Sequence, residues 1–180
     1  MQINERFVIL TGGPGSGKTT LIEALKRRGH AASVEAGRAI IRQHLNIDGP
    51  ALPWKDPSLF AELMLSWELR SYEMAQSSGG TVFFDRGVPD IAGYLRLSGM
   101  SVPDHVHEAA RLHRYNPQVF ILPPWAEIFH EDRERKQTFD EARRTYHAMV
   151  HAYGAYDYEL IEVASLPVSE RADFILAQLG

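Results

Sequence analysis

Eight residues near the start of the chain combine glycines with a lysine and a threonine at spacings that suit phosphate binding. The segment reads GGPGSGKT over residues 12–19, and another threonine follows at position 20. Glycines let consecutive backbone N–H groups curl round phosphate oxygens, and the lysine can reach the β- and γ-phosphates of a nucleotide. We therefore predict that a nucleotide is bound by Gly12, Gly13, Pro14, Gly15, Ser16, Gly17, Lys18, Thr19 and Thr20.

The same loop predicts a magnesium site. Mg²⁺ prefers oxygen ligands, and the Thr19 hydroxyl is well placed to share the ion with phosphate oxygens and water. A second oxygen ligand is expected from Asp85, which ends the apolar run TVFF. A plain glycine turn would need neither Lys18 nor Thr19, whereas Asp85 could still act only as a cap at the end of a strand. The sequence has no Asn-Lys-x-Asp tract for reading guanine, so we predict ATP and Mg²⁺ as the cofactors.

Carboxylate and guanidinium groups follow a second apolar run and could handle an acceptor molecule. Glu35 and Arg38 stand in the segment EAGR, and Arg86 follows Asp85 directly. A carboxylate can accept a proton from a hydroxyl group, and guanidinium groups can bind anionic or polar groups. We predict catalytic roles for Lys18, Asp85 and Glu35, and substrate binding by Glu35, Arg38 and Arg86. An ordinary surface ion pair between Glu35 and Arg38 remains the alternative.

A charged segment, EDRERK over residues 131–136, follows a strand and two prolines. We expect a short helical lid over residues 126–140, in which Arg133, or else Arg135, offsets charge on a transferred phosphoryl group. Mixed charges on a helix are also typical of a solvated face. The nearby Trp125 and the loop residue Trp54 could stack on a base, although packing beneath a loop is the interpretation we favour.

The elements that must position these residues alternate between strands and helices. A helix with Ser58 as its N-cap is expected over residues 59–76, and the segment 127–144 is helical by propensity. Alternating elements predict a three-layer α/β/α fold with a parallel central sheet, whose ligand lies at the carboxyl ends of the strands. The expected strands cover residues 6–10, 31–35, 81–85, 118–122 and 158–163.

Composition narrows the class of protein. The chain has 180 residues, 44% of them hydrophobic and 23% charged, which fits a single globular domain over residues 1–180. It has no cysteine and no apolar stretch of bilayer-spanning length, so we expect a cytoplasmic protein without a membrane segment. The net charge of −4 argues against a nucleic-acid partner and leaves a small-molecule acceptor as the expected partner, with the oligomeric state open.

Three segments together resemble a known family. The runs ILTGGPGSGKTT, EAGR and FDRG, with the later PPW, resemble the AAA-type ATPase domain family that includes ribosylnicotinamide-kinase-like domains. The resemblance covers most of the chain. It implies a nucleoside- or nucleotide-kinase-like P-loop fold, with Glu35 and Arg38 near the acceptor, Asp85 and Arg86 beside the phosphates, and a lid around residues 126–140.

The leading hypothesis is a small-molecule kinase that transfers the γ-phosphoryl group of ATP to a nucleoside, nucleotide or similar metabolite. Lys18 and Thr19 would position the donor, and Asp85 or Glu35 would align the acceptor. The alternative is a nucleotide-binding regulatory switch without a small-molecule acceptor. Nucleic-acid processing would need a basic groove, which the acidic balance does not supply.

Overall fold

A computed structural model describes residues 3–129 and 138–180 of the chain. Its five strands are β1 (Phe7–Gly12), β2 (Ala31–Ala32), β3 (Val82–Asp85), β4 (Gln118–Leu122) and β5 (Glu159–Glu162). They form one sheet in the order β2-β3-β1-β4-β5, and every neighbouring pair is parallel. The expected parallel central sheet is therefore confirmed.

Helices cover both faces of the sheet. They are α1 (Lys18–Arg27), α2 (Ala36–Asn46), α3 (Pro57–Ala75), α4 (Val88–Leu97), α5 (Asp104–Leu112), α6 (Phe139–Gly154) and α7 (Val168–Leu179), with a short 3-10 helix at Ala126–Ile128. Side chains of β1 alternate between two apolar clusters, with Phe7 and Ile9 in one and Val8 and Leu10 in the other. Each face of a fully buried parallel strand packs on a helical layer, so the three-layer α/β/α architecture is confirmed.

The two central strands bring the glycine loop beside Asp85. In the register of β1 and β3, Leu10 lies opposite Asp85, so the loop after β1 and the acid at the end of β3 share one edge of the sheet. Gly12 serves the packing of this edge, because a Cβ atom there would lie 2.5 Å from the carbonyl oxygen of Leu122 in β4. Gly12 therefore lets two strands approach closely where the loop begins.

Several element boundaries differ from those expected. The N-cap of α3 is Asp56, whose carboxylate accepts a hydrogen bond of 2.9 Å from the Leu59 N–H, so the assignment of Ser58 was wrong. Pro57 occupies the first turn of the helix, where its missing N–H costs nothing. The second strand ends at Ala32, and Glu35 is the N-cap residue of α2 rather than a strand residue.

The helix expected over 127–144 was also placed wrongly at its ends. Residues 126–128 form a 3-10 turn, and α6 begins at Phe139. A capping box fixes that start, because the Thr138 hydroxyl and the Glu141 carboxylate each bond the other residue's backbone N–H. Most of the expected lid, including Arg133 and Arg135, lies outside the described residues.

Within the described ranges, the structure contains no helix long and apolar enough to cross a bilayer.

Candidate functional site

The glycine loop forms one wall of a pocket at the carboxyl edge of the sheet. This loop pocket has a volume of about 420 Å³, and residues 13–20 all contribute to its lining. Gly17 has a φ of 78° and is the N-cap residue of α1, a left-handed conformation that glycine adopts without strain. The N–H groups at the start of α1 therefore face the pocket with the positive end of the helix dipole, an arrangement suited to phosphate.

A buried ion pair joins the loop to β3. The Lys18 ammonium contacts the Asp85 carboxylate, and both side chains are less than one-tenth exposed. The Asp85 backbone N–H also donates a 3.0 Å hydrogen bond to the Ser33 hydroxyl, which fixes the end of β3. The carboxylate at the end of β3 is thus the counter-ion of the lysine at the start of α1. Lys18 and Asp85, both predicted as site residues, are thus in direct contact.

Arg86, which follows Asp85 in the chain, lies against a second group of carboxylates. Its backbone has a φ of 76°, unusual for a residue other than glycine. The guanidinium lies 3.1 Å from the Asp90 carboxylate and 3.6 Å from that of Glu35, whose other oxygen lies 3.5 Å from Arg38. Burial alone would lower the pKa of Arg86, but Asp90, Glu35 and Asp85 outweigh it and raise the pKa. Arg86 therefore remains charged at the centre of the site.

Asp90, which belongs to no recognisable motif, is the buried acceptor that holds these elements together. It accepts hydrogen bonds from the Thr11 hydroxyl at 2.6 Å, the Gly87 N–H at 3.0 Å and the Tyr153 hydroxyl, besides its ion pair with Arg86. The donors come from β1, the β3–α4 turn and α6. One carboxylate therefore fixes the loop strand, the arginine and the helix of the opposite wall.

Replacing Asp90 with asparagine is expected to lower the free energy of unfolding by about 3–5 kcal/mol, because the amide nitrogen cannot accept from the two donors that it would face and Arg86 loses a buried charged partner. Urea denaturation followed by circular dichroism measures the change. The control, Tyr153→Phe, removes one donor and should cost about 1 kcal/mol. An asparagine variant as stable as the wild type would contradict the organising role assigned to Asp90.

The far end of the loop pocket is apolar except for one arginine. Trp125, Ile128 and Phe129 contribute from one side, and residues 166–168 from the other. Arg171 of α7 donates a 3.2 Å hydrogen bond to the Ser16 carbonyl, and its guanidinium lies 5.3 Å from the centre of the Trp125 ring. Burial lowers the pKa of this guanidinium. Arg171, which was not among the predicted site residues, thus ties α7 to the glycine loop.

A larger cavity of about 780 Å³ opens next to the loop pocket. The two share Pro14, Glu35 and Arg86 in their linings. Beyond these residues the walls of the larger cavity are mostly apolar side chains of α2, α3, α4 and α6, and Trp54 stands at its mouth with 58% of its surface exposed. The favoured interpretation of Trp54, packing beneath a loop, was therefore wrong.

The structure gathers most of the predicted site residues within this region. Lys18, Thr19, Thr20, Glu35 and Arg86 line the loop pocket, and Asp85 reaches it through Lys18. Arg38, expected at the acceptor, lines the loop pocket and not the larger cavity.

The oxygen donors fit a hard cation bound together with phosphate. The Thr19 hydroxyl lies at the loop pocket and the Asp85 carboxylate at the end of the neighbouring strand, while the buried Ser16 hydroxyl has no hydrogen-bond partner among the described residues. In the same part of the chain, no group of three or more His, Cys, Asp or Glu side chains could hold a metal by itself. A cation here would therefore need phosphate oxygens and water to complete its shell, as Mg²⁺ usually does.

Solved structures of known proteins share this fold. A deoxyadenosine kinase from M. mycoides with the products dCMP and a flexible dCDP bound is 14% identical, with a TM-score of 0.66, and the match covers 96% of this chain and 98% of that one. The same enzyme with dATP bound gives 13% identity and a TM-score of 0.56 over the same shares. The NadR protein in complex with NR gives 17% identity and a TM-score of 0.70 over 97% of this chain and 51% of that one.

Identities this low show the fold alone, and the shared fold is the parallel sheet between two helical layers. A search of curated proteins returned no match to the chain. The family described as AAA domain, in contrast, matches residues 7–171, a span that contains the glycine loop, Asp85, Arg86 and Arg171. The match covers most of the sequence, and the chain therefore belongs to the AAA domain family.

Proposed function

We propose that the protein is a small-molecule kinase that transfers the γ-phosphoryl group of ATP to a hydroxyl group of a nucleoside, nucleotide or similar metabolite. One observation carries the proposal: the loop pocket and the larger cavity meet at Glu35 and Arg86. A donor phosphate on the glycine loop and an acceptor in the cavity would then be adjacent, with a carboxylate and a guanidinium between them. A nucleotide switch would have no need of the second cavity.

On the donor side, the N–H groups of the loop and the start of α1 would hold the phosphates. Lys18 would leave Asp85 for the β- and γ-phosphates, which frees the carboxylate to face Mg²⁺ together with the Thr19 hydroxyl. The ion supplies charge neutralisation on the β- and γ-phosphate oxygens. Arg38 and Arg86, both on the loop pocket, would offset the remaining charge of the γ-phosphoryl group. Arg133 or Arg135 is proposed to add to this from the lid.

On the acceptor side, Glu35 would receive the proton of the attacking hydroxyl group. The acceptor oxygen forms a bond to the γ-phosphorus while the bond from phosphorus to the β–γ bridging oxygen breaks and ADP leaves. Glu35 is suited to this role because its side chain is about one-tenth exposed and lies in both linings. Arg86, held by Asp90, keeps the carboxylate oriented toward the junction of the two pockets.

The test is consumption of ATP in the presence of Mg²⁺, with and without a pooled library of nucleosides, nucleotides and other hydroxyl metabolites, followed by mass spectrometry of the products. Stimulated turnover and a product heavier by one phosphoryl group support a kinase. Tight nucleotide binding without any phosphorylated product would overturn the proposal and favour the regulatory switch.

Replacing Arg171 with methionine is expected to raise the KM for ATP by about 10-fold, because the loop loses a charge-assisted hydrogen bond at the Ser16 carbonyl and the pocket loses a cation. The kcat at saturating ATP should change little. Steady-state kinetics against ATP concentration provide the measurement. Arg28→Met is the matched control, since Arg28 also contacts α7, through Asp173, but does not line the loop pocket. An unchanged KM for ATP would remove Arg171 from the nucleotide site.

A further inference from the structure

The charge of the larger cavity restricts what it can accept. Among the described residues of its lining, four carry carboxyl groups, namely Glu35, Glu68, Asp90 and Glu141, and one carries a guanidinium, Arg86. That guanidinium is held by Asp90 and Glu35, and the proposed kinase function already assigns it to the γ-phosphoryl group of the donor. Binding sites for phosphate monoesters usually present several cations, either arginines that bind the phosphate through two N–H groups or lysines that act as point charges. This lining is therefore unfavourable for an acceptor that already carries a phosphate group.

The remaining walls favour an acceptor with an apolar body. The lining includes the side chains of Ile41, Phe60, Met64, Ile91, Tyr94 and Met149. At the mouth, Leu45, Trp54 and Leu97 are each more than 40% exposed. A ligand that covered these side chains would gain about 25 cal/mol for each Å² of apolar surface removed from water. An apolar or aromatic ring system is the chemistry that this surface fits.

Glu68 interrupts the apolar wall. It lies on α3 with 2% of its surface exposed, and its Oε2 atom has no hydrogen-bond partner in the described part of the chain. The neighbouring carboxylates are each matched by a cation: Asp85 by Lys18, and Asp90 by Arg86. Glu68 takes part in no such ion pair within the described ranges.

The surroundings of Glu68 favour its neutral form over its ionised form. Burial raises its pKa well above the usual range, and the charges of Asp90, Asp85 and Glu35 add to this, while Arg86 acts in the opposite direction. Tyr115 also interacts with Glu68, and burial raises the pKa of its own hydroxyl group. A protonated carboxyl group offers one O–H donor and one C=O acceptor at the cavity wall.

We propose that Glu68 selects, as a neutral carboxylic acid, an uncharged acceptor alcohol with an apolar or aromatic body, in preference to its phosphorylated counterpart. This inference rests on the proposed kinase function and names the acceptor class. The acceptor hydroxyl would face Glu35 and Arg86, a neutral hydrogen-bonding group would face Glu68, and the ring system would extend to Trp54. Glu68 acts here in binding and not in phosphoryl transfer.

The first test needs no ligand. Glu68→Leu should raise the Tm by about 2–4 °C, because an unpartnered buried carboxyl is replaced by an apolar side chain of similar size. Glu68→Gln, which is neutral and nearly isosteric, should leave the Tm within about 1 °C. The control Glu73→Gln changes an exposed residue of the same helix. A marked fall in Tm for both Glu68 variants would show an ionised, paired carboxylate and would overturn the proposal.

The second test compares matched acceptors. Nucleosides with their 5′-monophosphates, and aryl alcohols with their phosphate esters, are assayed in pairs for ATP-dependent phosphorylation. The unphosphorylated member should have the higher kcat/KM. For that acceptor, Glu68→Leu should raise the KM at least about 10-fold while kcat and the KM for ATP stay unchanged, and Glu68→Gln should remain within about threefold.

Either of two outcomes rejects the inference: a better rate with the phosphorylated member of each pair, or a loss in Glu68→Gln as large as in Glu68→Leu. The latter would mean that an ionised Glu68 binds a cationic acceptor. If no alcohol or ester is phosphorylated by the wild-type protein, the kinase proposal itself fails, and the Tm series still decides the state of Glu68.

Discussion

Replacing Lys18 with alanine is expected to reduce kcat/KM for ATP-dependent phosphoryl transfer by about 10²–10³-fold, the loss seen when one preorganised donor to transition-state charge is removed. Lys18 is the cation at the start of α1, on the wall of the loop pocket. Its present contact with Asp85 shows that the ammonium can reach the edge between β1 and β3. Initial rates of ADP release, measured at saturating Mg²⁺ with the best acceptor from the pooled library, provide the test.

The alanine variant also leaves Asp85 buried without its cation, which is expected to cost about 3–5 kcal/mol of stability. Urea denaturation should therefore accompany the kinetics, and rates should be compared at a temperature where both proteins are folded. In the double variant Lys18→Ala with Asp85→Asn, part of the stability should return and the activity should not. The control is Lys26→Ala, an exposed lysine on the same helix. A folded Lys18 variant with wild-type turnover would show that the loop does not bind the transferred phosphoryl group.

The sequence predicted the sheet and the phosphate loop because both depend on local patterns. Short apolar runs bounded by polar residues indicate buried parallel strands, and the GGPGSGKT segment stands between one such run and a helix, as its mechanism requires. Asp85 and Glu35 could be placed near the loop because parallel strands end at a common edge.

The residues that the sequence analysis missed are polar groups buried by tertiary contacts. Asp90 accepts hydrogen bonds from the hydroxyl groups of Thr11 and Tyr153, which are both distant from it along the chain. Glu68 could have been recognised in the sequence as an acid on the apolar face of a predicted helix. Its neighbours at helical spacing, Met64, Leu65 and Tyr72, are buried. Arg171 is a similar case, because this charged residue lies among the buried residues Ala172 and Ile175 of α7. A charged residue within an apolar stripe is thus worth treating as a candidate for a site.

The two functional hypotheses make different demands on the larger cavity. A regulatory switch requires nucleotide contacts and a surface that responds to them, but it does not require a cavity of about 780 Å³ beside the loop pocket. A kinase requires such a space, with a carboxylate where the two reactants meet. The shared lining at Glu35 and Arg86 therefore favours the kinase. The same reasoning identifies Glu35 as the residue whose replacement separates the hypotheses.

Replacing Glu35 with glutamine is expected to lower kcat for acceptor phosphorylation by about 10²–10⁴-fold, the usual contribution of a general base. The amide keeps the size of the side chain but cannot take the proton of the attacking hydroxyl group. Binding of ATP should change little, because the loop, Lys18 and Thr19 are unaltered. Single-turnover kinetics give the chemical step, and titration with a fluorescent ATP analogue gives the binding constant.

Asp85 is the other carboxylate that could accept the proton, and the pair of variants distinguishes the two. Asp85 lies against Lys18 and is proposed to face Mg²⁺, so Asp85→Asn should weaken Mg²⁺-dependent ATP binding as well as turnover. Glu35→Gln should reduce turnover alone, and Glu23→Gln, an exposed change on α1, should affect neither. If Glu35→Gln kept wild-type turnover while Asp85→Asn lost it with ATP binding intact, the base would be Asp85. Because Glu35 lies at the junction of both pockets and Asp85 on the side of the loop, the geometry favours Glu35.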